Sequence, residues 1–141
     1  MIARRAFVAR CSAAVAAFAL GGCGSLVVHT VPAPHGRVSL LLADFPELAR
    51  EGGVVSLLPE AESDPIFVLA LGSGTFAALS SQCTHRGCTI DAESTRLVCP
   101  CHGSAFGRDG TVLRGPAEHP LPRYYTEATG GRLLIDLRRS A

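Results

Sequence analysis

Cys83-Thr84-His85-Arg86-Gly87-Cys88 and Cys99-Pro100-Cys101-His102-Gly103-Ser104 decide how this 141-residue chain is read. Each box holds a Cys and a His, separated by one residue in the first and by two in the second, and each holds one further Cys. Thiolate and neutral imidazole are both transition-metal ligands, and zinc accepts two of each in a tetrahedral site. Covalent haem attachment needs Cys-x-x-Cys-His, and Cys99-Pro100-Cys101-His102 is one residue short of it. Pairing all four box cysteines in disulfides would leave two histidines beside them without a role.

The two boxes together resemble the Rieske [2Fe–2S] family. In such centres two histidines replace two cysteines on one of the two irons, which raises the reduction potential. The resemblance implies that Cys83 and Cys99 bind the inner iron, and that His85 and His102 bind the outer iron with a ring edge toward solvent. It also implies a disulfide between Cys88 and Cys101, the pair that ties the two loops together in the electron-transfer branch. Ring-hydroxylating dioxygenases and their ferredoxins usually lack that pair, so its presence argues against a dioxygenase component. A non-redox zinc module remains the competing reading of the same four ligands.

Hydrogen bonds to cluster sulfurs tune the potential. Respiratory relatives supply two of them from a serine and from a tyrosine two residues later. Here Ser104 keeps the first and Phe106 lacks the second hydroxyl. The resemblance therefore implies a potential below that of the quinol-oxidising branch. Gly115-Pro116-Ala117 resembles the proline loop that covers the cluster from a third side, which gives Pro116 a place in the site. Arg86 stands where respiratory relatives carry an apolar docking residue.

The first twenty-three residues have the three-region layout of an export signal. Three arginines fall in the first ten positions, an apolar run follows over residues 11–20, and Gly21 and Gly22 precede Cys23. A run of that length is half of what a bilayer span requires. Arg4-Arg5-Ala6-Phe7-Val8 resembles the twin-arginine motif, whose route exports proteins already folded. Leu20-Gly21-Gly22-Cys23 resembles a lipobox, which makes Cys23 the expected site of lipidation and gives the chain a membrane anchor. The expected location is the bacterial cell envelope, on the periplasmic or outer face.

Residues 24–37, with Pro32 and Pro34, read as a flexible linker able to reach at most about 45 Å. Residues 38–137 read as one Rieske domain and 138–141 as a tail. Short β-rich runs separated by turn signals cover residues 38–42, 54–58, 66–71, 75–79, 97–99, 124–128 and 132–137. Gly72-Ser73-Gly74 and Thr129-Gly130-Gly131 read as hairpin turns, and Arg108-Asp109-Gly110 as a tight turn. Asp44 is placed as the cap of a short helical turn running to Arg50 and closed by Gly52 and Gly53. The expected fold is all-β, with stacked antiparallel sheets and a small cluster-binding subdomain.

Beyond the leader, ten arginines face twelve acids, for a formal charge of −2. No basic surplus points to nucleic acid. No nucleotide or flavin motif is present, so the sequence is read as a one-electron carrier or an electron-transfer subunit without substrate chemistry of its own. Its expected partners are a cytochrome, a quinol oxidoreductase of the quinol–cytochrome c type, or a periplasmic oxidoreductase such as arsenite oxidase, whose small subunit is also of this kind.

Overall fold

The computed structural model describes residues 26–141. The twin-arginine segment, Cys11 and the lipobox with Cys23 lie outside the described residues.

Eleven strands follow in chain order: β1 (Val28–Val31), β2 (Arg37–Leu41), β3 (Val54–Pro59), β4 (Ile66–Gly72), β5 (Thr75–Ser80), β6 (Asp91–Ala92), β7 (Leu97–Val98), β8 (Ala105–Phe106), β9 (Val112–Arg114), β10 (Arg123–Thr129) and β11 (Arg132–Ser140). Seven of them form one sheet in the order β1-β3-β4-β5-β10-β11-β2, and β6 to β9 form a second sheet in sequence order. Only β1 pairs in parallel, against β3. The all-β architecture expected from sequence is the one observed.

Strands β4 and β5 are apolar at nearly every position because both of their faces are buried. Side chains alternate across a strand, so Ile66, Val68 and Ala70 enter a first core with Phe76, Ala78, Val38, Leu40, Leu57, Leu133 and Ile135. Phe67 and Leu69 point the other way, with Ala77 and Leu79, into a second core shared with the small sheet through Ile90, Leu97, Phe106 and Leu121. Burying a side chain of this size stabilises the fold by about 1.5–3 kcal/mol. The hairpin turn between β4 and β5 uses left-handed backbone at Gly72, Ser73 and Gly74.

The small sheet is an insertion between β5 and β10. Leu79 of β5 pairs with Arg123 of β10, and the Ser80 N–H donates to the Pro122 carbonyl at 2.9 Å. Residues 81–121 thus leave the large sheet and return to it at one point. The turn between β8 and β9 is tied to the segment just before β3 by Arg108, which donates to the carbonyls of Gly52 and Gly53 at 2.7 and 2.8 Å.

Three sequence expectations change. Within the expected linker, residues 28–31 form β1, because Val31 enters the first core and the backbone pairs with β3 from Val28↔Ser56 to Val31↔Pro59. Asp44 caps nothing: it ends one 3-10 turn (Leu42–Asp44), and a second follows at Pro46–Ala49. Pro46 excludes Phe45 from the α region, and Phe45 sits at φ −127° and ψ 74°. Gly53 allows the chain to double back, since a Cβ there would collide with the Glu47 carbonyl. The expected tail mostly continues β11, which runs to Ser140 and is followed by an Ala141 N–H donation to the Arg123 carbonyl at 3.0 Å.

Asp136 is the buried charge of the large sheet, 3% exposed and directly opposite Arg37 across the β11–β2 pair. Its carboxylate accepts from the Arg138 backbone N–H at 3.1 Å, from Arg138 Nε at 3.3 Å and from Arg37 Nε at 3.3 Å. These bonds, those of Arg138 foremost, hold its pKa below the usual carboxylate value. A depressed folded pKa adds stability that is fully present above the unfolded value, about 3.9, and is lost as pH falls through the folded one. Urea titrations followed by circular dichroism should show Asp136→Asn less stable than the parent at pH 7. The gap should narrow as the pH is lowered through the acid range.

Candidate metal centre

The two boxes fold into loops of matching design. In the first, the Cys83 N–H donates to the Cys88 carbonyl and the Gly87 N–H to the Cys83 carbonyl, both at 2.8 Å. In the second, the Cys99 N–H donates to the Ser104 carbonyl at 2.8 Å and the Gly103 N–H to the Cys99 carbonyl at 3.0 Å. Gly87 and Gly103 occupy equivalent places with φ of +76° and +79°. A side chain would be strained there.

Each loop contributes one member to each of two pairs. Cys83 and Cys99 are 3% and 1% exposed and belong to the same buried cluster. Burial, then the Cys83 thiol, pushes the Cys99 pKa up. Two thiols kept apolar and close together are poor partners for each other and good ones for a metal that replaces their protons. The rings of His85 and His102 lie 4.9 Å apart, edge to face. His102 is exposed and His85 half-buried. The buried Nδ1 of His85 has no hydrogen-bond partner within the protein, and such an atom costs free energy unless something binds it.

Cys88 and Cys101 form a disulfide across the loops, with Cα atoms 6.5 Å apart. Their sulfurs also lie within 4.8 Å of Cys99 Sγ. Being bonded to each other, they are not thiolate donors, which leaves Cys83 and Cys99 as the unbridged cysteines among the described residues.

A third segment fastens both loops. Ala117 N–H donates to Ser104 Oγ at 3.0 Å in a fully buried contact. The Ser104 hydroxyl accepts that bond and keeps its own proton to donate. Thr84 Oγ1 donates to the His119 carbonyl at 2.7 Å, and Arg114 Nε donates to the Gly103 carbonyl at 2.9 Å. Residues 114–119, with exposed Pro116 among them, therefore lie against both boxes. Phe106 is fully buried in the second core beside Cys83 and Cys99. Arg86 is exposed.

Residues 45–125, more than half of the chain, match the family described as the Rieske [2Fe-2S] domain. The chain belongs to the Rieske family. It is 37% identical over 84 residues to the chloroplastic cytochrome b6-f complex iron-sulfur subunit of Bigelowiella natans, covering 56% of this chain and 33% of that protein. It is 38% identical over 78 residues to cytochrome b6-f complex iron-sulfur subunit 2 of Synechocystis sp., covering 52% and 43%. The Rieske chain thus spans less than half the length of these curated relatives. Among solved structures, a chain of the complex of reduced oxygenase and oxidized ferredoxin in carbazole 1,9a-dioxygenase matches with a TM-score of 0.56 at 20% identity, covering 72% of this chain and 94% of that one. That likeness is one of fold.

The cofactor is a Rieske-type [2Fe–2S] cluster, and the donor set suits it: two buried unbridged thiols in one core, two contacting imidazoles and an unpartnered ring nitrogen. The sequence did not single out Arg108, Thr84 or Arg114 as parts of the support for these loops.

Removing the Ser104 hydroxyl leaves the Ala117 N–H buried and unpaired. Ser104→Ala should lower stability by about 1–3 kcal/mol, the cost of an unsatisfied buried donor. Chemical unfolding of the parent and the variant checks this. If Ser104 also donates to a cluster sulfur, the midpoint potential measured on the same samples falls as well.

Proposed function

We propose that this protein transfers single electrons at the bacterial cell envelope through a Rieske cluster held by Cys83 and Cys99 on one iron and by His85 and His102 on the other. The observation that carries the reading is the pairing itself, a buried thiol pair and an imidazole pair drawn one from each loop. The cluster supplies a one-electron reduction and oxidation step. The residues do the rest. Cys83 and Cys99 anchor it on the second core, His102 reaches solvent where a partner can approach, and the Cys88–Cys101 disulfide keeps the two loops from separating.

The same proposal places an acylated Cys23 at the end of an exported leader, so that the domain is membrane-anchored. Its support is the sequence pattern alone. Among the described residues no helix is long and apolar enough to cross a membrane. Partners are cytochromes or subunits of a quinol or periplasmic oxidoreductase. Identity with cytochrome b6-f iron-sulfur subunits favours a second reading, the Rieske subunit of a quinol-oxidising complex. Against it stand the exposed Arg86 at the loop tip and the missing phenolic hydroxyl at Phe106.

Iron analysis with voltammetry tests the assignment. Two irons per chain and a one-electron wave are expected, and a stoichiometric zinc content with no wave would contradict it. Phe106→Tyr should raise the midpoint potential by adding a donor at the cluster, and a potential equal to that of the parent would remove the assigned tuning position.

A further inference from the structure

The structure shortens the tether. Because β1 begins at Val28 rather than after residue 37, only residues 24–27 separate Cys23 from the sheet. Extended chain rises about 3.4 Å per residue, so Val28 lies at most about 17 Å from Cys23. A head on such a tether cannot swing between distant partners.

The strand register says which end of the domain faces the anchor. Val28 pairs with Ser56, and β1 runs from there to Val31↔Pro59. The end that β1 leaves behind is marked by Val54, paired with Leu69, which is paired in turn with Ala77. Leu26 and Val54 pack against the same second core. Gly52 and Gly53, which hold Arg108 in the turn between β8 and β9, precede Val54 at that end.

The opposite end carries the cluster loops. Ile66 pairs with Ser80 there, the Ile90 N–H donates to the Ser81 carbonyl, and the chain enters the first box at Cys83. In the turn between β8 and β9, the Arg108 side chain reaches the Gly52–Gly53 end while Gly110 lies against Leu79 and Leu121, and Ser104 and Arg114 lie beside the boxes.

Exposed acids stand at both ends, Glu47 and Glu51 beside the Gly52–Gly53 turn and Glu60, Glu62 and Asp64 beyond β3, so what sets the entry apart is an apolar pair. At the entry, Val27 and Val28 are 71% and 49% exposed, two β-branched apolar side chains in a row outside either core. Where β1 finishes, the exposed acids Glu60, Glu62 and Asp64 follow its partner β3, and the Glu60 N–H bonds to the Val31 carbonyl. Exposed valines next to an acylated residue are accepted at the apolar boundary of a leaflet.

We infer that the anchored domain seats Val27 and Val28 on the lipid surface and holds His85 and His102 at its far, aqueous end, an arrangement that serves a water-soluble one-electron partner. This rests on the acylation of Cys23 proposed above. The cluster stays at a fixed height above the bilayer, away from any redox group buried within it.

The chain contains no Trp, so a single introduced one reports on its own site. Full-length acylated Val27→Trp and Leu113→Trp are reconstituted into phosphatidylcholine vesicles with ordinary or brominated acyl chains. Leu113 lies on β9 and is 60% exposed. Comparing the two lipids for each variant cancels quenching by the cluster. Brominated lipid should dim Val27→Trp by about twofold or more, as for a residue at the headgroup–acyl boundary, and leave Leu113→Trp unchanged. Inserting a flexible Gly/Ser spacer after Gly24 should relieve the Val27→Trp quenching and leave the midpoint potential unchanged. Vesicle-bound protein whose Val27→Trp is not quenched, or whose Leu113→Trp is quenched equally, overturns the orientation while acylation stands. Protein that fails to float with the vesicles and lacks acyl mass on its N-terminal peptide overturns the anchor, and the orientation with it.

Discussion

Burial of β4 and β5 on both faces is the constraint on which the rest depends. One face of Ile66–Gly72 and Thr75–Ser80 closes the first core, and the other is the floor on which the cluster subdomain stands. Cys83 and Cys99 belong to that second core, so the proposed metal donors are held by the same packing that stabilises the sheet. A loop pair of this size could not order itself. With only two- and three-residue strands in β6 to β9, its hydrogen bonds would not offset the entropy of fixing the chain.

The inserted subdomain is fixed at both ends. At one, the large sheet closes beneath it through the Leu79↔Arg123 pair and the Ser80 to Pro122 bond. At the other, the Arg108 guanidinium grips two backbone carbonyls of the Gly52–Gly53 turn. Burial lowers the Arg108 pKa, yet a guanidinium keeps its charge in proteins, so these are charge-assisted bonds of the stronger kind. Between those two attachments the loops are joined by the disulfide and by residues 114–119. A redox centre benefits from such stiffness, because movement of its ligands on electron transfer would add to the barrier.

What the sequence disclosed and what it hid have a common cause. Long strands were legible because an apolar run such as residues 66–71, closed by Gly72-Ser73-Gly74, has the length and flanks of a buried strand. Residues 28–31 were hidden by their flanking prolines and by a register, parallel to β3, that no local pattern announces. Strands β6, β8 and β9 are too short for periodicity to register. The helical turn expected after Asp44 ignored the restriction that Pro46 places on Phe45. At the centre, residue types and spacing disclosed a metal site, but they left zinc open, and the pairing of Cys88 with Cys101 came from resemblance. The roles of Thr84, Arg108 and Arg114 depend on backbone carbonyls that are distant in sequence, and side-chain identity carries no trace of those partners.

The central claim is that two imidazoles and two thiolates share one cluster. The most direct test is an electron–nuclear double-resonance spectrum of the reduced protein, prepared with isotopically labelled histidine. The account predicts couplings from two labelled histidine nitrogens, one of which disappears in a His85 variant that still retains iron. A reduced-iron signal without nitrogen coupling, or a protein that carries zinc and gives no signal, would contradict it.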